Sequence, residues 1–178
     1  MIVLMSAFLL LSAFSCGGGN KANSTSEQSE ETAVNVPQFD ADSAYLYVKN
    51  QVDFGPRVPN TKEHVACGNY LAGQLEAFGA QVTNQYADLI AYDGTLLKAR
   101  NIIGSYKPES KKRIALFAHW DTRPWADNDP DEKNHNTPIL GANDGASGVG
   151  TLLEIARLVN QQQPELGIDI ILLDAEDY

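Results

Sequence analysis

The spacing of apolar and polar residues changes along the chain, and each spacing predicts a type of element. Apolar residues at helical spacing predict helices over about residues 42–52, 62–78 and 145–162. Strict alternation predicts two half-buried strands, "QVTNQYADLI" and "LLKARNIIGSY", joined by a hairpin turn at Asp93-Gly94. Continuous apolar runs in "RIALFAHWDT" and "GIDIILLD" predict two strands that are buried on both faces.

Residues that favour helix ends and loops separate these elements. Asp42 or Ser43 can cap the first helix, and Gly79 is placed to end the second. The segments "FGPRVPNT" and "RPWADNDPDEKNHNTP" contain the prolines that break regular structure and therefore predict loops. One face of the second helix is expected to be apolar and buried, with Cys67 as a small buried hydrophobe among Val65, Leu71, Leu75 and Phe78.

The order of the last predicted elements indicates the fold class. A strand, a long loop, a helix and a second strand follow one another between residues 113 and 174. A helical connection of this kind joins neighbouring parallel strands. The sheet is therefore at least partly parallel, and the sequence predicts an α/β fold.

Composition narrows the class of partners. Apolar residues make up 43% of the 178 residues and charged residues 20%, which is typical of a globular domain. The formal net charge of −10 disfavours nucleic acid as a partner, because phosphate binding needs a basic surface. The cluster "KKR" at 111–113 is expected to be a solvated turn rather than a binding patch.

The first residues are interpreted as export and attachment signals. Residues 1–16 form an apolar run that ends at Cys16, and this pattern resembles a bacterial lipoprotein signal peptide with lipidation at Cys16. An ordinary cleaved secretory peptide or a buried helix is the alternative. Residues 17–36 are polar, without hydrophobic period, and predict a disordered linker before a domain at 37–178. We expect an exported lipoprotein of the periplasm or outer membrane, whose only membrane contact is its lipid anchor.

Polar side chains collect where the buried strands end. "AHWD" places His119 and Asp121 on the same side of an extended chain, "GANDGASG" leads Asp144 into a helix, and "DAED" carries Glu176 and Asp177. Open α/β sheets bind ligands beyond the carboxyl ends of their strands. Carboxylates packed together repel one another unless a cation is bound. An imidazole with several carboxylates suits zinc or a similar divalent ion, and the glycines around Asp144 allow a sharp turn toward it.

Three of these segments carry a family resemblance. "AHWDT", "GANDGASGVGTLLEIAR" and "IILLDAED" resemble the metal-site segments of the co-catalytic zinc aminopeptidase and glutaminyl cyclase superfamily. "FGPRVPNT", "HWDTRPWAD" and "DAED" are most similar to the animal-type glutaminyl-peptide cyclotransferases found in bacteria. The resemblance runs from about residue 40 to the last residue. It implies a three-layer αβα fold with a mixed, mostly parallel central sheet, here as the N-terminal part, truncated at the C-terminal side.

The resemblance also implies roles for single residues. Asp144 and Asp177 would be zinc ligands, and Glu176 the general acid and base. His119 and Asp121 match the aminopeptidases' ligand to a second metal and the residue that orients it, and in a cyclase they would line the site. No histidine of the chain matches the family's remaining zinc ligand, so the 178-residue chain alone is expected to bind zinc poorly and to be inactive. The superfamily further implies a cis peptide bond after Asp144.

The activity that the resemblance implies is that of a zinc-dependent acyltransferase. It would convert the N-terminal glutamine of peptides or proteins to pyroglutamate and release ammonia. One alternative is a zinc aminopeptidase that cleaves N-terminal residues with two metals, and a second is a lipid-anchored binding protein without turnover. Trp120 and Trp125 flank the predicted metal loop, where they would either line the pocket or serve only as packing.

Overall fold

The computed structural model describes residues 35–178, so the predictions for the signal peptide, for Cys16 and for nearly all of the linker fall outside the described residues. Within that range no helix has both the length and the apolar character needed to cross a membrane. The regular elements are α1 (Ala41–Val52), α2 (Lys62–Ala77), β1 (Gln81–Ile90), β2 (Leu96–Tyr106), β3 (Arg113–His119), α3 (Ser147–Gln161) and β4 (Gly167–Leu173). Two short helical turns, Glu132–Asn134 and Ala142–Ala146, lie between β3 and α3.

The helix ends follow ordinary capping rules, with one correction to the sequence analysis. The N-cap of α1 is Asp40, whose Oδ1 accepts hydrogen bonds from the backbone N–H groups of Asp42 (3.0 Å) and Ser43 (3.1 Å). The prediction of Asp42 or Ser43 as the cap was wrong because these residues already lie inside the first turn and donate to the cap. Gly79 has a φ of 79° just beyond α2, and its predicted role at that helix end is confirmed.

The sheet has the strand order β1-β2-β4-β3. The pairs β1/β2 and β2/β4 are antiparallel, whereas β3 and β4 are parallel and joined through α3. Asp93-Gly94 lies in the turn of the β1/β2 hairpin, which is closed by a hydrogen bond from the Ala91 N–H to the Thr95 carbonyl (2.8 Å). The predicted α/β class with a mixed sheet is therefore confirmed.

The two apolar strands differ in burial, and this corrects the expectation for β3. Helix α2 packs against β1 and β2, and α3 packs against β3 and β4. On β4 the alternate residues Ile168, Ile170 and Leu172 are buried, and the residues between them are half buried. Strand β3 lies at an edge of the four-stranded sheet, and its Phe117 is 59% exposed. A continuous apolar run shows that the strand is apolar. It does not show how many strands pair with it or how many helices cover it.

The core lies between the helices and the sheet. Cys67 is fully buried there, and desolvation raises the pKa of its thiol to about 12, as expected for a small buried hydrophobe. Val65 was wrongly expected to share that buried face, because it is 56% exposed. The buried residues of α2 recur four apart, and Val65 lies two positions from Cys67, on the opposite side of the helix. The largest fully buried apolar side chains are Trp120, Leu71, Leu75, Ile102, Leu153, Ile170 and Leu172.

Candidate active site

The carboxyl ends of β3 and β4 bring four of the predicted site residues together. His119 is the last residue of β3, and its Nε2 lies 3.0 Å from Oδ1 of Asp144. Its Nδ1 faces Asp121 Oδ1 at 3.6 Å and Glu176 Oε2 at 3.7 Å. One imidazole therefore stands among three carboxylates from three separate segments of the chain, as the strand-end pattern predicts.

Asp121 orients the turn that follows β4. Its carboxylate is fully buried and accepts hydrogen bonds from the backbone N–H groups of Glu176 (3.2 Å) and Asp177 (3.0 Å). Ala175, just before them, has a φ of 58°, which bends the chain sharply. The resemblance assigned Asp121 only to the orientation of His119. The structure adds that Asp121 fixes the backbone that presents the proposed acid and base.

Two glycines form the turn that presents Asp144. Gly141 and Gly145 have positive φ angles of 57° and 89°. A Cβ at Gly145 would lie 3.0 Å from the Asp121 carbonyl oxygen and 3.3 Å from the His119 ring, so only glycine fits this approach without a shift. The predicted sharp turn is confirmed. The expectation of a cis bond after Asp144 is not met, since residues 35–178 contain no cis peptide bond.

A buried arginine joins the two loops of the site. The Arg57 guanidinium is fully buried and donates to the backbone carbonyls of Trp120 (3.0 Å), Leu140 (2.8 Å) and Gly141 (2.9 Å). It thereby connects the end of β3 with the start of the Asp144 turn. Sequence reasoning missed Arg57, because "FGPRVPNT" was interpreted as a loop and as part of the family resemblance without a role for its arginine. The one available signal was the charged residue between its two prolines.

Asp177 is held by an arginine that the sequence analysis did not single out. Its nearly buried carboxylate accepts from the Arg123 backbone N–H (2.8 Å) and from Arg123 Nε (3.1 Å). Asp177 lines one pocket and Asp144 lines another, and both pockets are lined in part by Arg123, Trp125 and Asp127. The two expected zinc ligands thus lie at neighbouring pockets.

The oxygen and nitrogen donors of the site suit a divalent metal, but they form only part of the ligand set that such an ion needs. Asp144 has a carboxylate that is 60% exposed, and the Nδ1 of His119 is buried without a hydrogen-bond partner. Among residues 35–178 no three His, Cys, Asp or Glu side chains lie close enough together to hold a metal ion. The carboxylates of Asp144 and Asp177 offer the oxygen donors that zinc accepts, and they fit such an ion as a partial set.

Comparison with known proteins shows a family similarity in these segments. Residues 101–178, which include β3, α3 and β4, match peptidase family M28. This part of the chain is therefore similar to peptidase family M28. The resemblance to the aminopeptidase and glutaminyl cyclase superfamily is therefore confirmed, and it was carried by the same three segments that build the site.

Solved structures agree with this assignment. The chain is 96% identical to a Bacteroides thetaiotaomicron glutaminyl cyclase bound to N-acetylhistamine, over 81% of this chain and 49% of that chain, with a TM-score of 0.80. It is also 96% identical to a leucine aminopeptidase precursor from the same species, over 82% and 50%, with a TM-score of 0.81. A Zn-dependent exopeptidase from Parabacteroides distasonis is 65% identical over 81% and 49%, with a TM-score of 0.80. The chain spans about half the length of each of these proteins.

The electrostatics of the site centre on His119. The buried Asp121 carboxylate, with further contributions from Glu176 and Asp144, raises the pKa of His119 to about 9, although burial of the ring acts in the opposite direction. The protonated imidazole then offsets part of the negative charge that the strand ends bring together.

The two tryptophans near the site have different roles. Trp120 is fully buried in the core, where its Nε1 donates to the Arg100 carbonyl (3.2 Å), so it serves as packing. Trp125 lines a cleft of about 330 Å³. Its ring meets those of Tyr178 and Tyr92 edge-on, with centroid distances of 5.4 and 6.3 Å. Glu176 borders this aromatic cleft.

Proposed function

We propose that the protein is a zinc-dependent glutaminyl-peptide cyclotransferase that acts on peptides or proteins with an N-terminal glutamine. The observation that carries the proposal is the position of Glu176. Its carboxylate is 60% exposed, and it lies between the His119 imidazole and the aromatic cleft. A carboxylate in this position can contact a substrate bound in the cleft and also the His119 imidazole. The 96% identity to a solved glutaminyl cyclase over half of that protein supports the same reaction.

The reaction moves one proton through Glu176. The substrate's α-amine nitrogen attacks the γ-carboxamide carbon, so a ring C–N bond forms and the C–NH₂ bond breaks. Glu176 accepts the proton that the amine loses and returns it to the departing nitrogen, which leaves as ammonia. Asp144 and Asp177 would bind the zinc ion, which when bound polarises the γ-carbonyl.

The remaining residues of the site orient these groups. Asp121 fixes the backbone of Glu176 and Asp177 through two hydrogen bonds, so the acid and base and the expected ligand share one rigid turn. The rings of Tyr92, Trp125 and Tyr178 provide an apolar surface beside Glu176 that can cover the substrate's glutamine and displace water.

A zinc aminopeptidase is the second candidate. It is favoured by His119, whose Nδ1 is buried without a hydrogen-bond partner beside Asp121, the position that the aminopeptidases use for a second metal. The 96% identity to a leucine aminopeptidase precursor points in the same direction. The metal content of the complete protein separates the two reactions, since one zinc per chain supports a cyclase and two support a peptidase. A binding protein without turnover is the third candidate, and it would show neither product.

The first prediction compares two substrates. With peptides that differ only in an N-terminal glutamine or leucine, the complete protein should release ammonia from the first and leave the second intact. The reason is that cyclisation needs the γ-carboxamide, which leucine lacks. Ammonia is measured by a coupled assay and the peptides by mass spectrometry. Free leucine as the main product would establish the aminopeptidase instead.

The second prediction concerns attachment to a membrane. We propose lipidation of Cys16 and a location in the periplasm or outer membrane, supported by the apolar run that ends at this cysteine. In a bacterial host fed radiolabelled palmitate, the wild-type protein should carry label and sediment with membranes. Cys16→Ser should lose both properties, while Cys67→Ser should keep the label. Equal labelling of the two variants would show that Cys16 is not the lipidation site.

A further inference from the structure

A buried histidine in α2 contacts the end of β4. His64 lies in the first turn of α2 and is almost completely buried. Its Nε2 lies 2.9 Å from Oδ1 and 2.8 Å from Oδ2 of Asp174, the residue that follows β4. Because a carboxylate only accepts, Nε2 carries the hydrogen and donates to both oxygens. This pair is outside the cleft described above.

The same imidazole also contacts the end of β3. Its ring stacks on the Trp120 ring, with centroids 4.2 Å apart and an angle of 17° between the planes. Trp120 lies between His119, whose ring is near the Glu176 carboxylate, and Asp121, which accepts a hydrogen bond from the Glu176 backbone N–H. One side chain of α2 therefore touches both strand ends that build the site.

Asp174 is the fixed point from which the Glu176 turn starts. Its carboxylate is fully buried and also accepts from the backbone N–H groups of Arg100 (2.6 Å) and Ala175 (2.8 Å). Its own N–H donates to Asn101 Oδ1 (3.0 Å). A buried carboxylate with this many donors has little freedom to rotate, since each lost hydrogen bond would leave a charged group unsatisfied.

We propose that His64 is a positioning residue that sets the direction of Glu176 and Asp177. It fixes Asp174 at the start of the turn, while Asp121 fixes the two residues at its end. Only Ala175 separates Asp174 from Glu176, so a change in the Asp174 side chain is transmitted to Glu176. The catalytic consequence rests on the proposed cyclase function, whereas the effect on the turn does not.

Two variants separate positioning from packing. His64→Leu fills the space but removes the donor, and His64→Gln restores an N–H at nearly the same distance from the backbone. Val65→Ala, the exposed neighbour in the same helix, is the control for a local change in α2. Amide hydrogen exchange is measured by nuclear magnetic resonance on the complete protein.

The probes are the backbone amides that donate to the buried carboxylates of Asp174 and Asp121. They belong to Arg100, Glu176 and Asp177. The reference amides are those of Ile170 and Leu172 in β4. In His64→Leu the probe amides should exchange at least about tenfold faster while the reference amides are unchanged, because a local opening affects only its own hydrogen bonds. His64→Gln should restore slow exchange. Unchanged probe amides in His64→Leu, or an equal acceleration of the β4 amides, would overturn the proposal.

The catalytic readout is the division of the effect between kcat and KM. If the complete protein cyclises glutamine peptides, His64→Leu should lower kcat about tenfold or more with little change in KM, because a misdirected Glu176 affects the transition state and not substrate binding. His64→Gln should recover most of kcat. An unchanged kcat in His64→Leu would overturn the catalytic part. If the wild-type protein does not cyclise glutamine, the proposed function fails, and the exchange experiment still decides the positioning role.

Discussion

The least exposed polar residues of the site bind backbone rather than substrate. Asp121, Asp174 and Arg57 are each buried, and each hydrogen-bonds to the main chain near the site: the two aspartates to the turn after β4, and the arginine to the end of β3 and the start of the Asp144 turn. An unsatisfied buried polar group costs about 1–3 kcal/mol, so these contacts hold the loops in one arrangement. His119, Asp144 and Glu176, in contrast, are only partly covered and remain available to a ligand.

Replacement of Arg57 by methionine should be strongly destabilising. The methionine fills much of the space but cannot donate to the carbonyls of Trp120 and Leu140, whereas the Gly141 carbonyl keeps the Ala146 N–H as a donor (3.1 Å). The expected loss in the free energy of unfolding is about 2–4 kcal/mol, because each buried carbonyl that loses its donor costs about 1–3 kcal/mol. Chemical denaturation followed by tryptophan fluorescence measures it.

The control for this variant is Lys62→Met. Lys62 has a side chain that is 89% exposed, so its replacement should change the free energy of unfolding by less than about 0.5 kcal/mol. If both variants unfold at the same denaturant concentration as the wild type, the carbonyls that contact Arg57 find other donors and its structural role is wrong.

Sequence patterns identify the residues at strand ends but not the residues that support them. His119, Asp144 and Glu176 could be predicted because each directly follows or ends a recognisable segment. Arg57 and His64 lie in a loop and a helix far away in the sequence, and their contacts exist only after the chain has folded. Nothing in the local pattern distinguishes His64 from an ordinary helix residue.

At the level of elements, the capping of α1 connects it to α3. The Asp40 carboxylate caps α1, and the Asp40 backbone N–H donates to Glu154 Oε1 of α3 (3.0 Å). Hydrogen bonds from the backbone N–H and the hydroxyl of Ser43 lower the pKa of the Asp40 carboxyl below its ordinary value. The ionised cap is therefore the form that the folded state favours.

Asp40→Ala should lower the melting temperature of the protein by roughly 3 to 8 °C at pH 7, because the N-cap contacts are lost. A carboxyl with a lowered folded-state pKa contributes its stability above the ordinary pKa of about 4, and that contribution is lost as pH falls through the folded-state value. The difference between variant and wild type should thus be full at pH 7 and shrink below about pH 4. Asp42→Ala, in the same turn but not the cap, should have a smaller effect. An equal effect of the two variants in calorimetry would show that Asp40 is not the cap.

Periodicity gave the order and type of the elements, while neighbours decided their burial. The alternation in β1 and β2 and the helical spacing in α3 agree closely with the observed bounds. The continuous apolar run of β3 was interpreted as burial on both faces, yet in the four-stranded sheet of the described residues β3 pairs on one side only. Burial depends on which elements cover a strand, and the strand's own sequence does not contain that information.

At the level of the whole molecule, the candidate site residues lie together at one edge of the sheet. The parallel pair β3 and β4 directs His119 and the Glu176 turn to the same edge, and the start of α3 brings Asp144 there. This convergence follows from the βαβ connection and could be inferred from the sequence. The exact hydrogen-bond partners of Asp121 and Asp177 could not, since they depend on distances between segments of different strands.

The most direct test of the account is the substitution Glu176→Gln in the complete protein, assayed for ammonia release from a peptide with an N-terminal glutamine. The amide keeps the size of the side chain but cannot accept and return the proton. We therefore predict a fall in kcat of about 100- to 10,000-fold with little change in KM. Glu165→Gln, an exposed residue in the loop before β4, should retain wild-type kcat. A wild-type kcat in Glu176→Gln would contradict the role of Glu176 and with it the proposed mechanism.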